Sequence, residues 1–373
     1  VIYPIKRHRV SENKTTDFQA ENRVLPDQSA YPRVLVSWKK LLILWPLFFL
    51  ICFGLGYPTL TRYDPRKVEG LSDTPKYYAL VTGGERSAFN SFFQGRLLVP
   101  FVARPFYRFA QSHLLSWDPA FFGLLVSNSM FCAATVCLLI CVGTEVLNDL
   151  SVALLGGTLY LLNFAVPNLQ LVGLIDAGES CFMAAVLWSL LRDRWYLLPV
   201  WGVWGALAKE TFVPFASVFV LTWWLVQARP GKWEMSRLKW IVALGITGLA
   251  TVMTTQTVVV GTFRWPWEFA VQARANVGFL SGLWRCLSQP GFWYVFAWLL
   301  PLGIWRLRYF PAAWIIASIS TGAVALILGA FNNSGGTIGR SVFSITGPLL
   351  SLSVAFLIAR SGQLDEVNNR KFI

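Results

Sequence analysis

The sequence predicts an all-α polytopic integral membrane protein of about ten transmembrane helices, with a long first extracytoplasmic loop that carries amphipathic interfacial helices. Three observations lead there. Of the 373 residues, 55% are hydrophobic and 14% charged, and the mean hydropathy is +0.52, too apolar and too blocky for a water-soluble domain. Apolar runs of about 13 to 24 residues recur along the chain, the longer ones matching the thickness of a hydrocarbon core. The strict alternation of a transmembrane β-barrel is absent.

Residues 1–37 mix Lys, Glu, Asn and Asp with little apolar periodicity and read as a disordered cytosolic tail. The membrane domain is expected over residues 38–360. Its spans are read at Trp38 to Gly56, Pro119 to Val142, Leu150 to Val166, Ala177 to Leu191, Trp195 to Ala208, Phe212 to Val226, Trp240 to Gly261, Phe292 to Ile304, Pro311 to Ala330 and Val342 to Ala359. Three of these, Ala177 to Leu191, Trp195 to Ala208 and Phe292 to Ile304, are short and have polar flanks, so nine or eleven spans also fit. Residues 361–373 read as a second cytosolic tail.

Between the first two spans lies a loop over residues 57–117, long enough to need a functional reason. It holds the acids Asp64, Glu69, Asp73 and Glu85 among eight Lys and Arg residues. Phe89, Phe92, Phe93, Leu97, Leu98, Phe101, Val102, Phe106 and Phe109 recur at near-helical spacing with Arg96, Arg104 and Arg108 between them. That pattern predicts an amphipathic helix in the interface. The segment from Thr262 to Pro290 repeats the mixture of tryptophan and arginine, and FNNSGGTIGR forms a third outer loop ending in Arg340.

Orientation follows from the basic residues in the short loops. With the N-terminal tail and the first loop set aside, 11 Lys and Arg residues fall on the side of the termini and 5 on the other, which predicts that both termini are cytoplasmic. The net charge of +13 is spread over loops on both faces, which argues against nucleic acid and for anionic lipid headgroups as partners. Five of the six cysteines fall in or beside predicted spans and Cys286 in a polar loop, with neither a disulfide framework nor metal-ligand spacing. Two histidines in the whole chain speak against a histidine metal site.

Under this topology the outer face collects Asp73, Asp176 with Glu179, Lys209 with Glu210, Arg264 and Arg340; ionisable groups at span edges are costly to bury and are functional candidates. Asp176 and Glu179 lie three apart, so a helix places both carboxylates on one face. The same spacing reads as a capping box with Asp176 as N-cap of the following helix, and both readings can hold together. Lys209 can hold a phosphate as a point charge with Glu210 orienting it, or the pair can be a plain interfacial turn. Asp73 reads as a solvated loop acid or a reactive one, Arg96 as a snorkelling side chain or a ligand contact, and Arg340 as a C-cap, a lipid contact or a substrate contact. Asp64 is a secondary acid candidate.

The order of these pieces resembles the GT-C superfamily of polytopic glycosyltransferases. The likeness rests on one span followed by a long loop with D-x-x-x-Y (Asp73, Tyr77) and F-x-x-R-x-L-x-P (Phe93, Arg96, Leu98, Pro100). An acid at a helix end in IDAGESCF, a K-E pair two spans later and the late G-R-S-V-F stretch complete it, covering roughly Trp38 to Arg360. The resemblance implies a polyprenyl-phosphate sugar donor and a lipid, glycan or protein acceptor on the extracytoplasmic side. It implies Asp73 as the catalytic base, with Arg96, Lys209, Arg264 and Arg340 stabilising the departing phosphate. No cofactor is implied. Many members carry paired acids in the first loop where Asp73 stands alone beside Ser72 and Thr74, so the pattern gives a bridging divalent metal no support. The absence of disulfide pairs points to a bacterial inner membrane.

Overall fold

The computed structural model describes residues 36–62, 73–84, 95–114, 116–228, 235–261, 263, 265, 268, 278–332 and 338–369, and no strand occurs among them. Helix α1 is Trp38–Gly56, N-capped by Ser37, whose hydroxyl accepts from the Lys40 amide. A short helix α2, Thr59–Arg62, follows it. Two further helices precede the next long one: α3, Thr74–Thr82, which ends at Gly83 in the left-handed region at φ 78°, and α4, Leu98–His113. Helix α5 is Pro119–Leu147. Its start is fixed by Asp118, whose carboxylate accepts from the amides of Ala120 and Phe121, and by Pro119 at the first helical position. Asp149 caps α6, Leu150–Leu162, in the same manner.

The remaining helices are α7, Asp176–Leu191; α8, Leu198–Ala208; α9, Phe212–Gln227; and α10, Met235–Val260. After these come α11, Phe279–Ser288; α12, Pro290–Phe296; α13, Leu299–Ile304; α14, Ala312–Phe331; and α15, Ile338–Asn369. Helix α5 packs on α1, α4, α6 and α7, and α15 packs on α6, α7, α13 and α14, so these two long helices form the centre. Helices α1 and α10 lie at the periphery with apolar side chains such as Leu42, Ile43, Leu50, Ile246 and Val258 exposed. Apolar surface on that scale is suited to lipid rather than water.

Among the described residues, five segments are long and apolar enough to cross a membrane: Trp38–Arg62, Pro119–Leu147, Met235–Val259, Ala312–Phe331 and Ile338–Ser361. The other expected spans correspond to shorter helices. At about 1.5 Å per residue, a helix of sixteen residues reaches only about 24 Å of a hydrocarbon core about 30 Å thick. Proline accounts for three of the differences, because its ring crowds the carbonyl four residues earlier and it has no N–H to offer there. The span expected over Leu150 to Val166 ends at Leu162, with Asn163 extended at ψ 142° four residues before Pro167, and a π-helical turn Val166–Gln170 follows. The segment beginning at Trp195 opens as a 3-10 turn and becomes α-helical only at Leu198, next to Pro199. The span expected over Phe292 to Ile304 breaks between α12 and α13 ahead of Pro301.

One further expectation is corrected. Cys286 is not in a polar loop: it lies within α11, and like the other five cysteines it is a buried free thiol. The last helix runs on to Asn369, into the residues read as the C-terminal tail. The tail over residues 1–35, the Phe-rich residues 85–94, Asp64 and Arg264 lie outside the described residues.

Helix α4 is held on α5 at Gly123, where an added Cβ would stand 2.6 Å from the Ala103 carbonyl oxygen and 3.1 Å from the Tyr107 nitrogen. Ser127 donates to the Val99 carbonyl beside it at 3.1 Å. Gly123→Ala is expected to force α4 off α5 at a cost of about 1 to 3 kcal/mol. An unchanged melting transition in detergent would show that this approach is not needed.

Candidate functional site

The chain folds so that helix ends meet. The N-terminal turns of α7 and α15, the α8–α9 junction, and the residues just before α3 and α4 converge, and each brings charge. Asp176 and Glu179 come from the first turn of α7, Lys209 to Thr211 from the junction, and Arg340 and Ser341 from the first turn of α15. Asp73 immediately precedes α3, and Arg96 lies just before α4.

Lys209 is the hub. Its Nζ donates to Asp176 Oδ1 at 2.8 Å, to Glu179 Oε2 at 2.7 Å and to Ser341 Oγ at 3.0 Å. An ammonium has three N–H donors, so these contacts use all of them. Asp176 gives its second oxygen, Oδ2, to Arg340 Nη1 at 3.1 Å. Arg340 Nη2 in turn stands 3.8 Å from Asp73 Oδ2, and Asp73 Oδ1 accepts from Lys76 Nζ at 3.0 Å. Glu179 uses its other oxygen to accept from Thr211 Oγ1 at 2.7 Å.

A second pair adjoins the first through the neighbouring Glu210. Arg96 Nε and Nη2 donate to the two Glu210 oxygens at 2.8 and 2.5 Å, a bidentate fork, and Nη1 donates to the Tyr77 hydroxyl at 2.6 Å. Burial alone would lower the Arg96 pKa, but Glu210 and Tyr77 hold it well above the ordinary guanidinium value. Burial pushes the Tyr77 phenol up to about 12 against the lowering pull of Arg96, so it stays protonated at physiological pH.

Beneath the charges, a neutral chain ties the elements together. Gln170 of the π-helical turn donates to Ser180 of α7 at 2.9 Å, and Ser180 donates to Ser344 of α15 at 2.8 Å. Asn128 of α5 reaches the Leu174 carbonyl at 2.7 Å and fixes the approach to α7.

Several sequence expectations are corrected by this geometry. Asp176 is not an N-cap: α7 already begins with it, Ile175 occupies the cap position, and no side-chain cap bond forms. Its carboxylate and that of Glu179 turn instead to Lys209, on the shared face that their spacing dictates. Arg96 does not snorkel, since it is buried at 7% exposure. Arg340 is no C-cap, lying in the first turn of α15. Asp73 is a partnered acid with 17% of its side chain exposed rather than a freely solvated one. Glu210 does not orient Lys209 but pairs with Arg96.

Lys76, Thr211 and Ser341 were not singled out from the sequence. The only sequence signal for Lys76 is its i, i+3 spacing from Asp73, and for Thr211 and Ser341 it is adjacency to a charge. Among the described residues no three His, Cys, Asp or Glu side chains gather in a way that could hold a metal ion. Fold and site together define a multi-pass helical membrane protein with an ionic cluster at the ends of its helices. No family profile, curated protein sequence or solved structure matches the chain.

With Lys209, Asp176, Glu179 and Arg340 the buried group carries two positive and two negative charges. Removing one member leaves an uncompensated buried charge, at a cost of about 3 to 5 kcal/mol. Lys209→Met is therefore expected to be strongly destabilising, and the charge-balanced pair Lys209→Met with Glu179→Gln less so. Thermal unfolding of single and double variants in one detergent tests this. Additive losses would show that the charges are not coupled.

Proposed function

We propose that this chain is a membrane-embedded glycosyltransferase of the GT-C kind, moving a sugar from a polyprenyl-phosphate donor to a lipid, glycan or protein acceptor, with Asp73 as general base. What supports the reading above all is the meeting of Asp73 and Arg340. These two residues are distant in sequence and adjacent in space, and they give a carboxylate and a guanidinium at one partly open point of an otherwise buried ionic cluster. The acceptor hydroxyl gives its proton to the Asp73 carboxylate while its oxygen bonds the anomeric carbon. The bond from that carbon to the phosphate oxygen breaks with inversion, and polyprenyl phosphate leaves. Developing charge on the phosphate requires cations, and among the described residues Arg340 is the nearest to Asp73 after Lys76.

In this reading the five long helices and the shorter apolar ones make up about ten passes, both termini are cytoplasmic, and the cluster faces the outside of a bacterial inner membrane. Anionic lipids would meet the basic residues at the other ends of the helices. There Arg192 pairs with Glu145 at 2.5 Å, and Arg194 and Arg237 lie over the rings of Trp188 and Trp195.

A transporter or flippase is the second reading, favoured by the π-helical turn Val166–Gln170 and by the break between α12 and α13, since interrupted helices often line transport sites. Purified protein in nanodiscs, given a panel of polyprenyl-phosphate sugars, separates the two. Transfer predicts release of polyprenyl phosphate, and Asp73→Asn is expected to lower it by about 10² to 10⁴ without loss of folding. Wild-type release by a folded Asp73→Asn protein would remove Asp73 as the base.

A further inference from the structure

One link in the ionic cluster differs from the rest. The contacts of Lys209 with Asp176 and Glu179, of Arg340 with Asp176, and of Lys76 with Asp73 lie at 2.8, 2.7, 3.1 and 3.0 Å. The Arg340–Asp73 separation is 3.8 Å, too long for a hydrogen bond. The cluster is thus tight from Lys209 through Asp176 to Arg340 and loose where Arg340 meets Asp73.

The two cations differ in what they have left to give. Lys209 has committed its three donors to protein groups and cannot bind a ligand without losing one of them. A guanidinium has five donors, and the hydrogen bond to Asp176 uses one. Asp176 stands between them with one oxygen on each. It is 2% exposed, too enclosed to act on a substrate directly.

We infer that Asp176 and Lys209 are positioning residues that act through Arg340. Lys209 fixes Asp176, Asp176 fixes the guanidinium beside Asp73, and Arg340 takes the phosphate of a lipid-linked ligand. Glu179 is a built-in control: it shares Lys209, but its other oxygen goes to Thr211 and not to Arg340. The inference rests on the proposed transfer reading for the identity of the ligand, while its residue roles rest on the geometry alone.

The test uses the full chain in nanodiscs containing undecaprenyl phosphate, with retained lipid measured by native mass spectrometry and turnover measured separately. Arg340→Ala is expected to weaken lipid retention at least tenfold and Asp176→Asn to do nearly the same, while Glu179→Gln, compared at equal folded fraction because it too unbalances the buried charge, is expected to weaken it several-fold less than Asp176→Asn. Since Asp176 acts through Arg340, Asp176→Asn added to Arg340→Ala is expected to cost nothing further. Should Asp176→Asn fail to fold, the charge-balanced pair Lys209→Met with Glu179→Gln removes the Lys209 link instead and is expected to weaken retention.

Parent-like retention by Asp176→Asn, an additive double variant, equal losses for Asp176→Asn and Glu179→Gln, or no retention by the parent protein would each overturn the positioning roles. Retention that follows the expected pattern without any sugar transfer would uphold the relay and remove the transfer reading. Asp73-dependent transfer with a donor KM unmoved by Asp176→Asn would do the reverse.

Discussion

The contact on which the site depends is the buried Lys209 ammonium held between Asp176 and Glu179. A lone ammonium or carboxylate in this environment would be untenable, because the effective penalty for removing one ion from water is several kcal/mol. Two carboxylates beside one ammonium would still leave excess negative charge, and Arg340 balances it. That balance binds α7, the α8–α9 junction and α15 together at one point. The cost of burying these charges also means that each partner depends on the others, which makes the cluster a fixed frame rather than a set of independent surface pairs.

The helices around this frame are short for a reason that can be read in their prolines. Had the segments containing Pro167, Pro199 and Pro301 run on as regular helices, their ends would have lain elsewhere. Instead each is interrupted, and the chain spends the freed residues in a π-helical turn, a 3-10 turn and a break. The π-helical turn gives Gln170 its place beside Ser180, and through Ser344 it reaches the helix that carries Arg340. An irregular backbone is tolerated where protein groups satisfy it, and at the first interruption the Asn163 side chain accepts from the Ala165 amide and donates to the Val295 carbonyl, each at 2.9 Å.

Electrostatically the cluster grades from closed to open. Glu179 and Asp176 are almost fully enclosed, Arg340 and Arg96 slightly less so, and Asp73 with Lys76 most accessible. Charge-assisted bonds strengthen as water is excluded, so the enclosed end gives rigidity. The accessible end retains the freedom to exchange partners. Tyr77 is fully buried in α3, where its neutral phenol accepts from Arg96, and it stands four residues after Asp73, which immediately precedes that helix.

Much of the fold was legible in the sequence because hydrophobicity and helical periodicity are local properties. The apolar runs around Trp38, Pro119, Ala312 and Val342 announced helices of membrane length, and the caps at Asp118 and Asp149 stand where short-range rules put them. The interruptions were also written locally, in Pro167, Pro199 and Pro301, though reading them needed attention to the carbonyl four residues back. At the site, the spacing of Asp176 and Glu179 fixed that they share a face but not what the face meets. Whether Asp176 caps its own helix or pairs with a lysine 33 positions later and an arginine 164 positions later depends on which helix ends converge. The same holds for Glu210, a sequence neighbour of Lys209 that pairs with Arg96 instead. Sequence alone determined that this is a helical membrane chain with charges at its span edges. Only the tertiary structure decided their partners, because ion pairing in a low-dielectric interior is settled by through-space distance between remote segments and not by order along the chain.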